Sequence, residues 1–330
     1  MKECILTGDR PTGNLHLGHF VGSLLSRVEL QNKYDTFIIV ADIQALTTHF
    51  THPEKIKENI YNVVLDNLSI GIDPEISTFF IQSMVPAIAE LTIFYSMLVS
   101  VNVLRHNPTI KTEAANYGYN DLTYGFLGYP VSQTADITFC NANLVPVGED
   151  QVPHMELTRK IVRRFNEIYN TNVLKEPQTM LSNCPRLAGL DGNTKMGKSL
   201  NNAIFLCDSS ETIKTKITSA ITDPQRISVQ DKGHPDICSV YNYHQIFNKK
   251  EQVAEICENC KAARISCVSC KQILCNVLNE LLAPLREKRK FYEERPKLIQ
   301  EILNSGTQKA NQIGNETVKN VKEAMNLIHF

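Results

Sequence analysis

Residues 8–19 read GDRPTGNLHLGH, directly after the apolar run Ile5-Leu6-Thr7. A strand that ends at Gly8, turns through Pro11-Thr12-Gly13 and enters a helix near Gly18-His19 presents free backbone N–H groups and the positive end of a helix. That arrangement suits a phosphate. The glycines let a nucleotide approach the backbone closely, and His16 and His19, three residues apart, share a helix face from which both can bond phosphate oxygens. Taken alone, the stretch reads equally well as a glycine-rich turn with two surface histidines, because short motifs also match by chance.

Downstream, helical and strand patterns alternate. Residues 19–31 have helical spacing at Phe20, Leu24 and Val28, and residues 36–41 form a bare apolar strand closed by Asp42. Residues 54–70 are helical, 78–82 are another short apolar strand, and 86–104 are helical again. This rhythm predicts an α/β fold, a Rossmann-like parallel sheet covered on both faces, with ligands beyond the carboxyl ends of the strands. Residues 8–19 occupy that place for the first strand. From about residue 275 only helical patterns appear, as at Val318, Val321, Met325 and Ile328. The expected division is an α/β part over residues 1–205 and an α-helical part over 206–330.

Composition excludes several classes of partner. Against 35 acidic residues stand 34 Lys and Arg, a formal charge of −1, so any contact with nucleic acid depends on a local basic patch. The start MKECILTGDR lacks the basic and apolar regions of a secretory signal, and no window approaches the roughly 18 apolar residues of a membrane helix. The expectation is a soluble, cytoplasmic protein with no membrane contact.

A second motif bears on the first. Residues 190–199 read LDGNTKMGKS, a polar, glycine-bearing loop whose Lys195 and Lys198 suit the growing charge of a departing pyrophosphate. With both motifs on one chain, the sequence resembles the class I aminoacyl-tRNA synthetases. The HIGH motif of that family looks like residues 16–19, and its KMSKS loop looks like residues 195–199, with Gly197 in place of the usual small hydroxyl residue. Within the family, GDRPTGNLHLGHFVGSL and VPVGEDQVPHMELTRKIVRRFN look like the tryptophanyl branch. The resemblance implies a catalytic domain over 1–205 that binds ATP and L-tryptophan, a helical anticodon-binding domain over 206–330, tRNA(Trp) as partner, Mg²⁺ with the ATP, and a homodimer.

The resemblance also implies roles. Asp9, Arg10, Thr12, Gly18, His19, Gly148, Asp150, Lys195, Met196, Lys198 and Ser199 fall on the ATP site, and His16, His19, Lys111, Lys195 and Lys198 on the reacting phosphates. Leu6, Gln44, Tyr129, Gln133, Asp136, Val145, Val147 and Gln151 fall on the tryptophan pocket, where Asp136 accepts the indole N–H and Gln151 holds the amino group. The residues support this independently. Tyr129, Gln133 and Asp136 stand at i, i+4 and i+7, one face of a helix. The same triplet occurs in tyrosyl-tRNA synthetases, so the flanks at residues 145–151 separate the two. A nucleotidyltransferase of the same HxGH superfamily and a non-catalytic RNA-binding paralogue are the other readings. The long helical extension argues against the first, and the intact motifs argue against the second.

Cys238, Cys260, Cys267 and Cys270 are spaced C-x21-C-x6-C-x2-C. Four thiolates hold either zinc or an iron–sulfur cluster, and spacing leaves the choice open. Some bacterial tryptophanyl-tRNA synthetases carry a [4Fe-4S] cluster on a similar pattern, so the resemblance favours iron, with Zn²⁺ as the alternative. Cys257 and Cys260 paired with Cys267 and Cys270 would instead make two zinc knuckles and leave Cys238 idle. Plain buried cysteines rank third. A metal centre here would pin a loop carrying Lys261, Arg264 and Lys271, three charges suited to tRNA phosphates.

Overall fold

The computed structural model describes residues 2–181, 187–192, 196–198 and 200–327. The chain forms two compact units. One comprises Met1–Gly13, Ser26–Asn183 and Arg295–Phe330, and the other Asn14–Leu25 and Cys184–Glu294.

The first unit is built on five parallel strands: β1 (Cys4–Asp9), β2 (Asp35–Val40), β3 (Ser77–Ile81), β4 (Leu144–Val147) and β5 (Gln178–Leu181). Their order is β3-β2-β1-β4-β5. Strand order therefore reverses between β1 and β4, and a crevice opens at such a point beyond the strands' carboxyl ends. The apolar runs read from sequence are buried because helices cover them: Phe37, Phe80 and Phe139 pack at 5.2–6.4 Å between ring centres in tilted and edge-on pairs. The helix expected over 86–104 is two helices, Pro86–Ser96 and Val101–Arg105. Ser100 starts the second by accepting from the Val103 N–H, which ends the continuous pattern.

The last long helix, Pro296–Ala324, belongs to this sheet-bearing unit. Gly306 lies against the backbone of Phe79, Thr317 donates to the Phe139 carbonyl at 2.7 Å, and Lys309 reaches Asp35 and Thr78 at 3.1 and 3.0 Å. The compact units thus follow contacts rather than the boundary expected at 205/206, because a small residue in the helix lets it close onto a strand. Of the apolar stripe read near the end, Val318 and Val321 lie on this helix, Met325 caps it, and Ile328 lies outside the described residues. A Cβ on residue 306 would overlap the Phe79 carbonyl. Gly306→Ala is expected to lower unfolding stability by about 1–3 kcal/mol, measured by urea denaturation.

In the second unit, residues 15–17 run beside residues 204–206. Leu206 N donates to Leu15 O at 2.9 Å and Leu17 N to Ile204 O at 3.0 Å. Four helices follow, Ser210–Ser219, Ser239–Phe247, Lys250–Lys261 and Cys267–Glu293. No described helix is long and apolar enough to cross a membrane.

Candidate active site and cysteine cavity

The helix Tyr124–Thr138 carries Tyr129, Gln133 and Asp136 as the spacing requires. Asp136 is buried, and its two oxygens accept from Gln82 Nε2 at 2.7 Å and Gln44 Nε2 at 3.3 Å. Gln44 also donates to the Tyr129 carbonyl at 3.4 Å, and its own N–H donates to Gln82 Oε1 at 3.1 Å. Two amides therefore hold one carboxylate in place. Burial pushes the Asp136 carboxyl up to about 7, with the Asp42 charge adding to the rise and the two amide bonds opposing it. Leu6, Tyr129 and Val145 are in the apolar core beside it and Val147 packs on that core, while Gln133 is half-buried. Gln82 escaped the sequence reading, although its position just past the third strand marks it as polar at a carboxyl end. His154, which bonds the Tyr129 hydroxyl at 2.8 Å, escaped it too.

The carboxyl ends of β1 and β4 carry the residues expected around ATP. Both Asp9 oxygens accept from Arg27, at 2.6 and 3.1 Å, and Asn67 adds a bond at 3.3 Å. This pair is buried, so Asp9 holds the end of β1 in shape. Arg10 is half-buried and faces Glu113 at 3.8 Å. The Thr12 N–H closes a turn on the Arg10 carbonyl at 2.8 Å. After β4, a side chain on residue 148 would meet Asp150 Oδ1 at 2.8 Å, which accounts for Gly148. Thr109 Oγ1 ties down the Asp150 carbonyl at 2.8 Å, and Gln151 Nε2 donates to Asp150 Oδ2 at 3.2 Å. Lys111 is exposed on the helix Pro108–Tyr117.

In the second unit, His16 and His19 cap their own helix. Gly18 N–H donates to His16 Nδ1 at 3.1 Å, and His16 N–H donates to His19 Nδ1 at 3.2 Å. A ring nitrogen that accepts carries no hydrogen, so both rings are neutral with the hydrogen on Nε2, and each Nε2 is a donor suited to an anion. The rings lie 3.9 Å apart. A Cβ on residue 18 would sit 2.9 Å from the His16 ring, so the motif needs its glycine. In the second motif Met196 is buried, Gly197 N–H donates to Asn202 Oδ1 at 3.0 Å, and Lys198 is half-buried. Lys195 and Ser199 lie outside the described residues.

Cys238, Cys260, Cys267 and Cys270 line one cavity with Asp223, Arg226 and Tyr241. Arg226 Nη1 stands 4.0 Å from the sulfurs of both Cys260 and Cys267. Gly233 lies against the Cys260 sulfur, where any side chain would overlap it. Burial first, then the neighbouring thiols, pushes Cys270 up to about 12. Among the described residues, no three His, Cys, Asp or Glu side chains converge closely enough to hold a single metal ion. Cys257 does not line the cavity. Lys261 and Arg264 are exposed, and Lys271, half-buried, donates to the Thr218 carbonyl at 2.7 Å.

Comparison with known proteins adds independent findings. The family of class I tRNA synthetases (W and Y) matches residues 2–283. A tryptophan–tRNA ligase of Streptococcus mutans is 48% identical, with the match covering 100% of this chain and 99% of the relative. One of Lactococcus lactis is 46% identical over the same shares. Among solved structures, a tryptophanyl-tRNA synthetase of Campylobacter jejuni complexed with ADP and tryptophan superposes with a TM-score of 0.88 at 29% identity, covering 98% of this chain and all of that one.

Proposed function

The chain belongs to the class I tRNA synthetases for tryptophan and tyrosine, and we propose that it performs its reaction, the ligation of tryptophan to tRNA, with two groups of residues. In the first unit, the buried Asp136 held by Gln82 and Gln44 receives the indole N–H, and Tyr129, Gln133, Gln151, Leu6, Val145 and Val147 complete the pocket. Asp136 is the single observation that carries the reading, because a lone oriented acceptor selects a side chain with one donor. An analogue lacking that donor leaves a buried acceptor unpaired, at a cost of about 1–3 kcal/mol. In the second unit, the Nε2 donors of His16 and His19, with Lys195 and Lys198, serve the phosphates. Asp9, Arg10, Thr12, Gly18, Gly148, Asp150, Met196 and Ser199 are assigned to ATP, and Lys111 to its phosphates.

The reaction needs no covalent enzyme intermediate. The tryptophan carboxylate attacks the α-phosphorus of ATP, the bond to pyrophosphate breaks, and tryptophanyl-adenylate forms. A terminal ribose hydroxyl of tRNA then attacks the activated carbonyl and AMP leaves. The protein contributes position and charge, and Mg²⁺ when bound supplies further positive charge on the pyrophosphate. Charging of purified tRNA(Trp) with labelled tryptophan tests the assignment; a product carrying tyrosine would overturn it. We assign the helices from Ser210 to Glu293 to the tRNA, with Lys261 and Arg264 as its phosphate contacts, and place the enzyme in the cytoplasm as a homodimer.

We ascribe a [4Fe-4S] cluster to Cys238, Cys260, Cys267 and Cys270, with Zn²⁺ as the alternative. Four thiols around one cavity, with Cys257 outside it, support this set over two zinc knuckles. Cys260 and Cys267, on either side of the loop between two helices, would be tied together by a cluster bound there. Arg226 offsets the thiolate charge, and the raised thiols must lose protons for ligation, so loading strengthens as pH rises. Anaerobically prepared protein is expected to hold about four irons per chain, lost in Cys260→Ser and kept in Cys257→Ser. One zinc without iron would overturn the cluster.

A further inference from the structure

Transfer of tryptophan to tRNA requires that a terminal ribose hydroxyl reach the pocket beside Tyr129. The nucleotide that carries it belongs to an unpaired strand end, and proteins hold the open faces of such bases on aromatic rings.

Exposed tyrosines stand at the N-terminal end of the pocket helix, Tyr124–Thr138. Tyr124, its first residue, is 78% exposed, and Tyr117, the last residue of the helix Pro108–Tyr117, is 44% exposed. Single exposed aromatic residues are ordinary, whereas several at one place beside a binding pocket mark a contact surface.

The fold orients one of these rings before any base arrives. Tyr117 lies 17° from parallel with the ring of Tyr119, their centres 5.6 Å apart, and both meet Phe126 edge-on at 6.5 and 5.2 Å. Phe126 is buried and meets the Tyr129 ring at 6.0 Å. An unbroken run of ring contacts therefore joins exposed Tyr117 to the pocket. A ring already held in place loses little freedom when a base stacks on it.

The helix beside these rings is bare. Gly125 and Gly128 are three residues apart on the pocket helix, and a Cβ on either would find nothing within 4 Å among the described residues. Glycine inside a helix costs about 1 kcal/mol relative to alanine, and no neighbour within the fold requires it here. Open backbone at this end leaves room for a strand to lie close.

We propose that Tyr117 and Tyr124 form a stacking surface for the unpaired 3′ end of the tRNA, and that Tyr119 and Phe126, by fixing the Tyr117 ring, set the terminal nucleotide beside the pocket of Tyr129. The inference rests on the reading that Tyr129 lines the tryptophan pocket.

The two halves of the reaction separate this role from others, because pyrophosphate exchange uses no tRNA and charging does. Tyr117→Ala and Tyr124→Ala are each expected to lower kcat/KM for tRNA(Trp) in charging about tenfold and to leave tryptophan-dependent exchange within about twofold. Tyr117→Phe and Tyr124→Phe, which keep the ring, are expected to charge within about twofold of wild type. Binding supplies the second measurement: the alanine variants are expected to bind whole tRNA(Trp) more weakly than wild type does, and to match wild type on tRNA(Trp) trimmed of its unpaired 3′ nucleotides. Tyr124 is the cleaner site, since so exposed a side chain can be removed with little cost to the fold. Unchanged charging in both alanine variants, an equal loss of binding to trimmed tRNA, or an equal loss of exchange would overturn the proposal. Failure of the pocket reading would show separately, as wild-type exchange driven by tyrosine.

Discussion

Lys195→Ala is expected to slow tryptophan-dependent exchange of pyrophosphate into ATP by about 10²–10³-fold, the usual loss when one positioned charge or donor is removed from a site of developing charge. Binding of tryptophan is expected to change little, because the lysine serves the pyrophosphate and that charge grows only as the bond to the α-phosphorus breaks. The expectation rests on the sequence motif, since Lys195 lies outside the described residues. The split between rate and binding is the informative part. A variant with wild-type exchange would remove residues 195–199 from the reaction, and a variant whose loss lay wholly in tryptophan binding would move the lysine to the amino-acid pocket. Lys198→Ala is the companion measurement.

Asp136→Asn is expected to lower kcat/KM for tryptophan by about ten- to a hundredfold, the worth of a hydrogen bond to a charged acceptor, and to erode the preference for tryptophan over phenylalanine. Its pH dependence carries a second signature. In the folded protein the carboxyl titrates at about 7, against 3.8 for the ordinary group. Between those two values the fold holds a proton that the unfolded chain has released, so this group makes stability fall as pH rises through that window and adds no further change above it. The asparagine variant lacks that fall. Its melting temperature relative to wild type is therefore expected to rise between pH 5 and pH 8, while tryptophan binding, which strengthens in wild type as Asp136 ionises near pH 7, becomes flat. A constant difference in melting temperature across that range would show that Asp136 is ionised throughout.

The parts legible in the sequence are those fixed by short spacings. Residues 8–19 could be read because glycines and histidines at fixed offsets have few structural uses, and the histidine cap adds that each ring's hydrogen sits on Nε2. Tyr129, Gln133 and Asp136 could be placed together because a helix repeats every 3.6 residues. The parallel sheet was legible from its first three strands. The strands β4 and β5 were not, being four residues each, one of them containing Pro146 and the other half-exposed, which leaves no periodicity to detect. Gln82 and Gln44 meet Asp136 across separations of 54 and 92 residues, a pairing no local pattern encodes. The return of the last helix to the sheet was hidden for the same reason. Its one sequence sign is a glycine, Gly306, inside an otherwise helical pattern, where close packing is the usual cause.

The most direct test of the central claim is the exchange of labelled pyrophosphate into ATP by the purified wild-type chain, run with L-tryptophan, with L-tyrosine and with no amino acid. The oriented carboxylate of Asp136 and the paired motifs at residues 16–19 and 195–199 predict exchange that requires tryptophan and is far slower with tyrosine. Exchange driven by tyrosine as fast as by tryptophan, or no exchange with tryptophan present, would contradict the account.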